Sequence, residues 1–396
     1  MDQNTLDFEF KLRTNTVCGV KKALKLPEYI HDLGYKRIGV IIDTNIVNVP
    51  YVQEILSKIQ NNPNFSSIVF EYNFKAEPEY DNLDEIREKF LDTDRKPIVD
   101  CFIGIGGGSV IDFAKGLATV TVNLKKSISY RGFPTDLEKS LPTIALPTTA
   151  GTGSEVTYNA VFINRNDMKK MGINTTNNYP VLAILDPLLT LSCPKSVTSA
   201  SGMDALVHCI ESYASKNGTY LTKMFAREAF KHLYNWLVII SENPNDLVAR
   251  SNIQYGAYLA GMSLLGSSGG PTGALSYPLG VHFKVPHGYA GAVFLPAVIE
   301  HNVKCGYDYS EFFDLINDSD RTLSVKDKNR LFVEKMYFLS KKLEIPSLRF
   351  FGVNEESVSL ILNELEGLNG AFLQNPVPFS VEDARQLVLR LMDKTE

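Results

Sequence analysis

The chain has 396 residues, 44% of them hydrophobic and 21% charged, with a net charge of -5 and an isoelectric point near 5.8. That length buries a large core and predicts two domains, and the charges are interspersed rather than blocked, which leaves no face suited to nucleic acid or anionic lipid. No run reaches the roughly 18 apolar residues of a membrane helix, and the acidic stretch Met1–Phe10 lacks the apolar centre of a signal peptide. Cys18, Cys101, Cys193, Cys209 and Cys305 are widely spaced and form no C-x-x-C pair, so reduced thiols in a cytoplasmic protein are expected, not a disulfide framework or a structural zinc knot.

The first half alternates short β-rich runs with helical stretches. Arg37–Ile42 reads as a strand, Tyr51–Gln60 as a helix and Ser67–Phe70 as another strand, an order that predicts a parallel sheet. Pro97–Ile105 is a third strand, running into Gly106-Gly107-Gly108-Ser109 and a helix that opens Val110-Ile111-Asp112. Beyond about residue 190 the apolar spacing is helical over 198–215, 222–240, 247–265, 327–343, 355–368 and 381–392. The last of these has Ser380 as its cap, with Glu382 and Asp383 in its first turn. Asn317–Arg321 is uniformly polar and reads as a surface loop. The expected architecture is an α/β dinucleotide-binding domain over 1–190 followed by an all-α domain over 191–396.

Strand, glycine turn and helix in that order form a phosphate cradle. Glycines 106, 107 and 108 let the backbone approach a pyrophosphate, and the first N–H groups of the helix supply donors and partial positive charge. A second loop, Pro147-Thr148-Thr149-Ala150-Gly151-Thr152-Gly153-Ser154-Glu155, follows the apolar run Thr143–Leu146. Its hydroxyls at Thr148, Thr149, Thr152 and Ser154 suit the same ligand, and two such loops would enclose one extended cofactor. Asp43, at the end of the first strand, either accepts hydrogen bonds from an adenosine ribose, which favours NAD over NADP, or caps the next helix. Asp112 orients the glycine loop, or reaches the substrate, or is simply a first-turn acid favoured by the helix dipole.

Asp204 and His208 lie four apart on a predicted helix, so both project from one face. That spacing suits a divalent cation, and it also suits a plain hydrogen-bonded pair. His287, flanked by Pro286 and Gly288 and read here in a turn, is the best third ligand. His282 is a weaker fourth, while His31, His232 and His301 sit in ordinary surroundings.

These segments together resemble the iron-containing alcohol dehydrogenases. The resemblance is carried by Gly106–Ser109 with Asp112 and Lys115, the loop 147–155, Asp186-Pro187, Gly202–Glu211 and Pro286-His287-Gly288. Ile345–Leu348 and Asn375–Pro378 extend it to the tail. It implies the fold shared with dehydroquinate synthase, and reversible hydride transfer between an alcohol and an aldehyde or ketone. It further implies NAD between the glycine loops with its nicotinamide toward the cleft between domains, and a homodimer or larger homo-oligomer. The family's metal, iron or zinc, takes one aspartate and three histidines. Asp204, His208 and His287 match three of these positions; the fourth falls on Gly273, and a further histidine near the nicotinamide falls on Tyr277.

Two outcomes follow from that gap. Either three ligands hold the cation with water or substrate completing the shell, or hydrogen-bond donors such as Tyr277 polarise the substrate instead. Tyr277 and His282 are the candidates for exchanging the alcohol proton. Lys170 resembles a family position near the cofactor, where it would pair with phosphate; otherwise it is a solvated lysine. Gly273 opens space beside Tyr277, which points to a polyhydroxylated or sugar-like substrate. The rival functions are a carbon-skeleton enzyme of the dehydroquinate-synthase type, which would need a basic pocket that the second half does not show, and a non-catalytic scaffold, which has no use for a phosphate cradle.

Overall fold

A computed structural model describes residues 7–74, 77–267 and 269–393. The N-terminal reading above therefore falls partly outside the described residues. The chain folds as two compact units, one of residues 12–193 and one of the segment up to residue 11 together with everything from residue 194.

The first unit contains β1 (Asn15–Cys18), α1 (Leu26–Asp32), β2 (Arg37–Asp43), α2 (Pro50–Gln60), β3 (Ser66–Tyr72), α3 (Tyr80–Arg87), β4 (Cys101–Gly106), α4 (Gly108–Val120), β5 (Thr143–Pro147), β6 (Val161–Asn164), β7 (Lys169–Gly172) and β8 (Leu182–Leu185). Six strands form one sheet in the order β1-β8-β5-β4-β2-β3, with parallel pairing throughout. β6 and β7 make a separate antiparallel hairpin. The inner strands β2, β4, β5 and β8 carry largely buried apolar runs because both faces of the sheet are covered there. Ile38, Val40 and Ile42 enter one core with Ile103 and Ile105, whereas Ile41 and Phe102 enter the opposite core with Phe113 and Leu117 of α4.

The second unit is helical: α5 (Lys195–Ala214), α6 (Tyr220–Glu242), α7 (Leu247–Leu264), α8 (Pro271–Phe283), α9 (His287–Lys304), α10 (Ser310–Asp314), α11 (Val325–Lys342), α12 (Glu355–Leu365), α13 (Asn369–Gln374) and α14 (Val381–Asp393). Helix starts carry side-chain caps where the sequence offers them. Thr219 and Thr222 form a reciprocal box at α6, Asp246 accepts from Val248 and Ala249 N–H at α7, and Ser380 accepts from Asp383 N–H at α14 as expected. α8, α9, α12 and α14 share one apolar core, including Leu275, Leu279, Phe294, Ile361 and Val388.

Three sequence expectations change. The strand expected from Pro97 begins only at Cys101, because the Asp100 carboxylate accepts the N–H groups of Lys36 and Arg37 and turns the chain there. The long helices α8 and α9 were not legible, since each contains an internal proline, Pro278 and Pro296, and α8 also contains Gly273 and Gly280. His287 is the first residue of α9, not part of a turn, with Pro286 as the residue before the helix.

Asp186, at the end of β8, is fully buried. Its carboxylate accepts from Ala23 N–H at 3.0 Å, Tyr51 hydroxyl at 2.6 Å and Leu188 N–H at 3.1 Å, tying β8 to α2 and to the segment before α1. Asp186→Ala strands buried donors and is expected to lower unfolding stability by about 2 to 4 kcal/mol. Urea denaturation measures this, and an unchanged midpoint would contradict the assignment.

Candidate functional site

Each unit carries one site. In the sheet unit, β2, β4 and β5 are neighbours and parallel, so Asp43, Gly106 and Pro147 end at the same edge, with Gly106 in register with Pro147. The chain order reverses here, because β3 lies on one side of β2 and β4 on the other. That crevice at the carboxyl ends of the strands is where open parallel sheets bind ligands. Gly107 precedes α4 and Gly108 opens it, so the first-turn N–H groups of Gly108 and Ser109 have no carbonyl within their own helix.

Two glycines are required by packing. A Cβ on Gly106 would sit 2.4 Å from Val110 Cγ2, and one on Gly108 would sit 2.5 Å from Thr152 Oγ1. The second loop therefore lies directly against the first, with Thr149 Oγ1 3.2 Å from the Cβ position of Gly107. Thr148 is buried, and its N–H donates to Gly106 carbonyl at 2.9 Å. Ser109, Thr149 and Thr152 are half-buried on the cradle.

Beneath the cradle is a buried charged group. Lys115, with no exposed surface, donates from Nζ to Ser154 Oγ, Thr157 carbonyl and Asn159 carbonyl, each at 2.9 Å, and lies 3.6 Å from Asp112 Oδ1. Asp112 accepts from the Ser154 hydroxyl and from Val161 N–H at 2.9 Å. Burial pushes the Asp112 carboxyl up and the Glu155 carboxyl up to about 7, and it draws Lys115 down to about 8 against the pull of Asp112 and Glu155. The Ser154 hydroxyl and the Asp112 carboxylate thus bond to protein groups and shape the cradle from below.

The Lys170 side chain is 9% exposed and its Nζ lies 2.6 Å from Glu77 Oε1, so it is not a solvated lysine. Asp43 Oδ1 accepts from both the N–H and the side-chain amide of Asn45 at 2.8 Å. It organises the turn after β2 and caps no helix, because α2 begins only at Pro50.

In the helical unit, Asp204 and His208 project from the middle of α5, and His287 comes from the start of α9. Asp204 Oδ1 is 3.5 Å from His208 Nε2 and 3.7 Å from His287 Nε2, and one ligand atom from each residue falls within 4.8 Å of the others. Asp204 is buried and both imidazoles are half-buried. One carboxylate and two imidazoles converging in this way could together hold a cation. Ser276 Oγ lies 3.4 Å from His287 Nδ1 and donates to Gly273 carbonyl at 2.7 Å. The Tyr277 ring is 6.0 Å from the His287 ring. His282 turns elsewhere, with Nε2 3.7 Å from Glu364 Oε1, and does not join the three.

Glu211 was not expected to matter. With Asp204 and His208 it completes an i, i+4, i+7 stripe on α5, which is the signal that would have found it. Its buried carboxylate accepts from Gly270 N–H at 2.8 Å, Thr272 N–H at 2.6 Å and Gly273 N–H at 3.3 Å, fixing the start of α8 against α5. Burial raises this carboxyl, and the same N–H groups oppose the rise. Among the described residues outside its own stretch of helix, a Cβ on Gly273 would meet Glu211 Oε2 alone, at 3.5 Å.

The sequence profile of the iron-containing alcohol dehydrogenases matches residues 13–187, and that of the family's C-terminal domain matches residues 198–392. The chain belongs to the iron-containing alcohol dehydrogenase family. It is accordingly an oxidoreductase that interconverts an alcohol and its carbonyl counterpart. Long-chain-alcohol dehydrogenase 1 of Geobacillus thermodenitrificans is 31% identical over 376 residues, covering 91% of both chains. The NAD-dependent methanol dehydrogenase of Bacillus methanolicus is 28% identical, covering 91% of this chain and 93% of that one. The solved alcohol dehydrogenase from Oenococcus oeni superposes with a TM-score of 0.88 at 27% identity, over 97% of this chain and 100% of that one. In this dehydrogenase the expected fourth ligand position, Gly273, is not replaced by another His, Cys, Asp or Glu among the described residues.

Gly108→Ala places a methyl group 2.5 Å from Thr152 Oγ1, and the strain is expected to cost about 1 to 3 kcal/mol. Adding Thr152→Ala removes the two closest atoms and should recover part of that loss. Thermal melts of the single and double variants measure it, and no recovery would contradict the loop contact.

Proposed function

We propose that the protein is an NAD(H)-dependent alcohol dehydrogenase acting on polyhydroxylated or sugar-like substrates, with a divalent cation, iron or zinc, held by Asp204, His208 and His287. The convergence of those three side chains is the observation that carries the reading. The chemistry of the donor set fits: a carboxylate and two imidazoles suit either metal, and three protein ligands leave a coordination position for substrate. A bound cation would supply Lewis acidity toward the alcohol or carbonyl oxygen.

The protein's own residues do the rest. Asp204, buried between the two imidazoles, fixes their separation, and Ser276 steadies His287 through its second ring nitrogen. Tyr277, adjacent to His287, is the better placed of the two proton-exchange candidates, since His282 faces Glu364. The N–H groups at the start of α4 with Gly106, Gly107 and Gly108 receive the pyrophosphate. Ser109, Thr149 and Thr152 line its edge, and Asp43 at the end of β2 favours a ribose hydroxyl over a 2'-phosphate.

Relatives named for long-chain alcohols and for methanol match at 31% and 28% identity, so membership of the family does not set substrate size. The polyol assignment rests on Gly273, where a side chain is absent and, outside its own stretch of helix, Glu211 Oε2 alone among the described residues lies within 4 Å of the Cβ position. A cytoplasmic setting is supported by five free thiols. No helix of the described residues is long and apolar enough to cross a membrane. Self-association into a homodimer or larger homo-oligomer is part of the proposal, and light scattering tests it.

Elemental analysis of the purified protein is expected to show stoichiometric metal. NADH oxidation against a panel of aldehydes and sugars should be lost on chelation and restored by metal re-addition. Turnover by metal-free protein would move the polarising role to hydrogen-bond donors, and activity confined to short unbranched aldehydes would remove the polyol assignment. Gly273→His adds a fourth imidazole, and metal retention against a competing chelator should tighten by at least about tenfold, the scale that even an outer-shell partner carries. Unchanged retention would mean that position 273 does not face the cation.

A further inference from the structure

We infer that Lys115 is a positioning residue for the dinucleotide: its ammonium clamps the segment 152–161 to α4 and thereby sets the spacing between Gly108 and Thr152, the two sides of the cradle. The inference rests on the cofactor reading of the glycine loops given above and adds to it a part that touches no cofactor.

The geometry runs in short steps. Lys115 Nζ donates to Ser154 Oγ at 2.9 Å, Ser154 N–H donates to Thr152 Oγ1 at 3.2 Å, and Thr152 Oγ1 lies 2.5 Å from where a Cβ on Gly108 would be. Two hydrogen bonds therefore connect a buried cation to the wall of the cradle. The same ammonium gathers the carbonyls of Thr157 and Asn159, neither of which belongs to a strand or helix. Asp112, one turn back on α4, holds the far end of the segment through Val161 N–H and shares the Ser154 hydroxyl with Lys115.

A surface loop would satisfy these carbonyls with water, and its shape would then be soft. Here a single cation with three directed donors imposes one shape, and burial makes each bond costly to leave unmade. An apolar side chain of equal length would fill the volume, leave Thr157 carbonyl and Asn159 carbonyl without that donor, and leave the Asp112 carboxylate without its ion pair. The network thus ties cofactor affinity to a residue whose ammonium is fully engaged with protein groups.

The test measures NAD affinity by isothermal titration calorimetry for the wild type, Lys115→Met, Ser154→Ala and the double variant. Ser154→Ala keeps the Lys115–Asp112 pair and keeps the experiment decisive if Lys115→Met does not fold. Each single variant is expected to weaken NAD binding by about tenfold or more, the loss of one or two buried hydrogen bonds. The double variant should be little worse than the weaker single one, because both act through one contact. In steady-state kinetics of Ser154→Ala, KM for NAD should rise while KM for the alcohol holds. Equal increases in both KM values, or wild-type NAD affinity in Ser154→Ala, would overturn the inference. Wild-type protein that fails to bind NAD would overturn the cofactor reading and the inference together.

Discussion

The sheet unit depends on keeping a positive charge out of water at the base of a glycine turn. Removing an ammonium from solvent costs several kcal/mol unless its donors and its charge are both answered. Lys115 is answered by a hydroxyl, two carbonyls and the carboxylate of Asp112. Because the hydroxyl and both carbonyls belong to the segment that follows β5, satisfying the charge and shaping the loop are one event. The glycine at 108 then follows: a loop pressed this closely onto the start of α4 leaves no room for a Cβ there, while a Cβ at Gly106 would meet Val110 of α4 itself.

The helical unit solves a similar problem with the opposite sign. Glu211 is buried, and its carboxylate is answered by three N–H groups at the start of α8, which otherwise lack partners within the helix. This holds α8 against α5, brings Ser276 and Tyr277 beside His287, and leaves Asp204 and His208 on the same stripe of α5. The candidate cation set is therefore built on one face of α5 and on the start of α9, which are rigid, and not on loops. Gly273 sits within this arrangement as a position where the backbone is fixed by Glu211 while the side-chain space is empty.

Local signals were readable wherever chemistry lies within a few residues. The run Gly106–Ser109 after an apolar strand announces its turn, Ser380 with Asp383 announces a helix start, and Asp204 with His208 share a face by spacing alone. Helices α8 and α9 escaped notice because Pro278, Pro296 and the glycines of α8 oppose helix formation locally, and burial of Leu275, Leu279, Phe294 and Leu295 outweighs that preference. The hairpin of β6 and β7 was missed for a different reason: its strands are four residues each and carry little periodicity.

The sequence by itself determined the alternation of strand and helix in the first half, the glycine cradle and the shared helix face of Asp204 and His208, since these follow from periodicity and residue chemistry. Tertiary structure alone decided which polar groups are spent internally. Ser154 and Asp112 serve Lys115, Lys170 serves Glu77 from 93 residues away, and His282 turns to Glu364 and not to the cation set. The physical reason is that spacing along a chain fixes only which face a side chain occupies. Whether a buried charge meets a ligand or another side chain depends on which distant segment the apolar core brings against it.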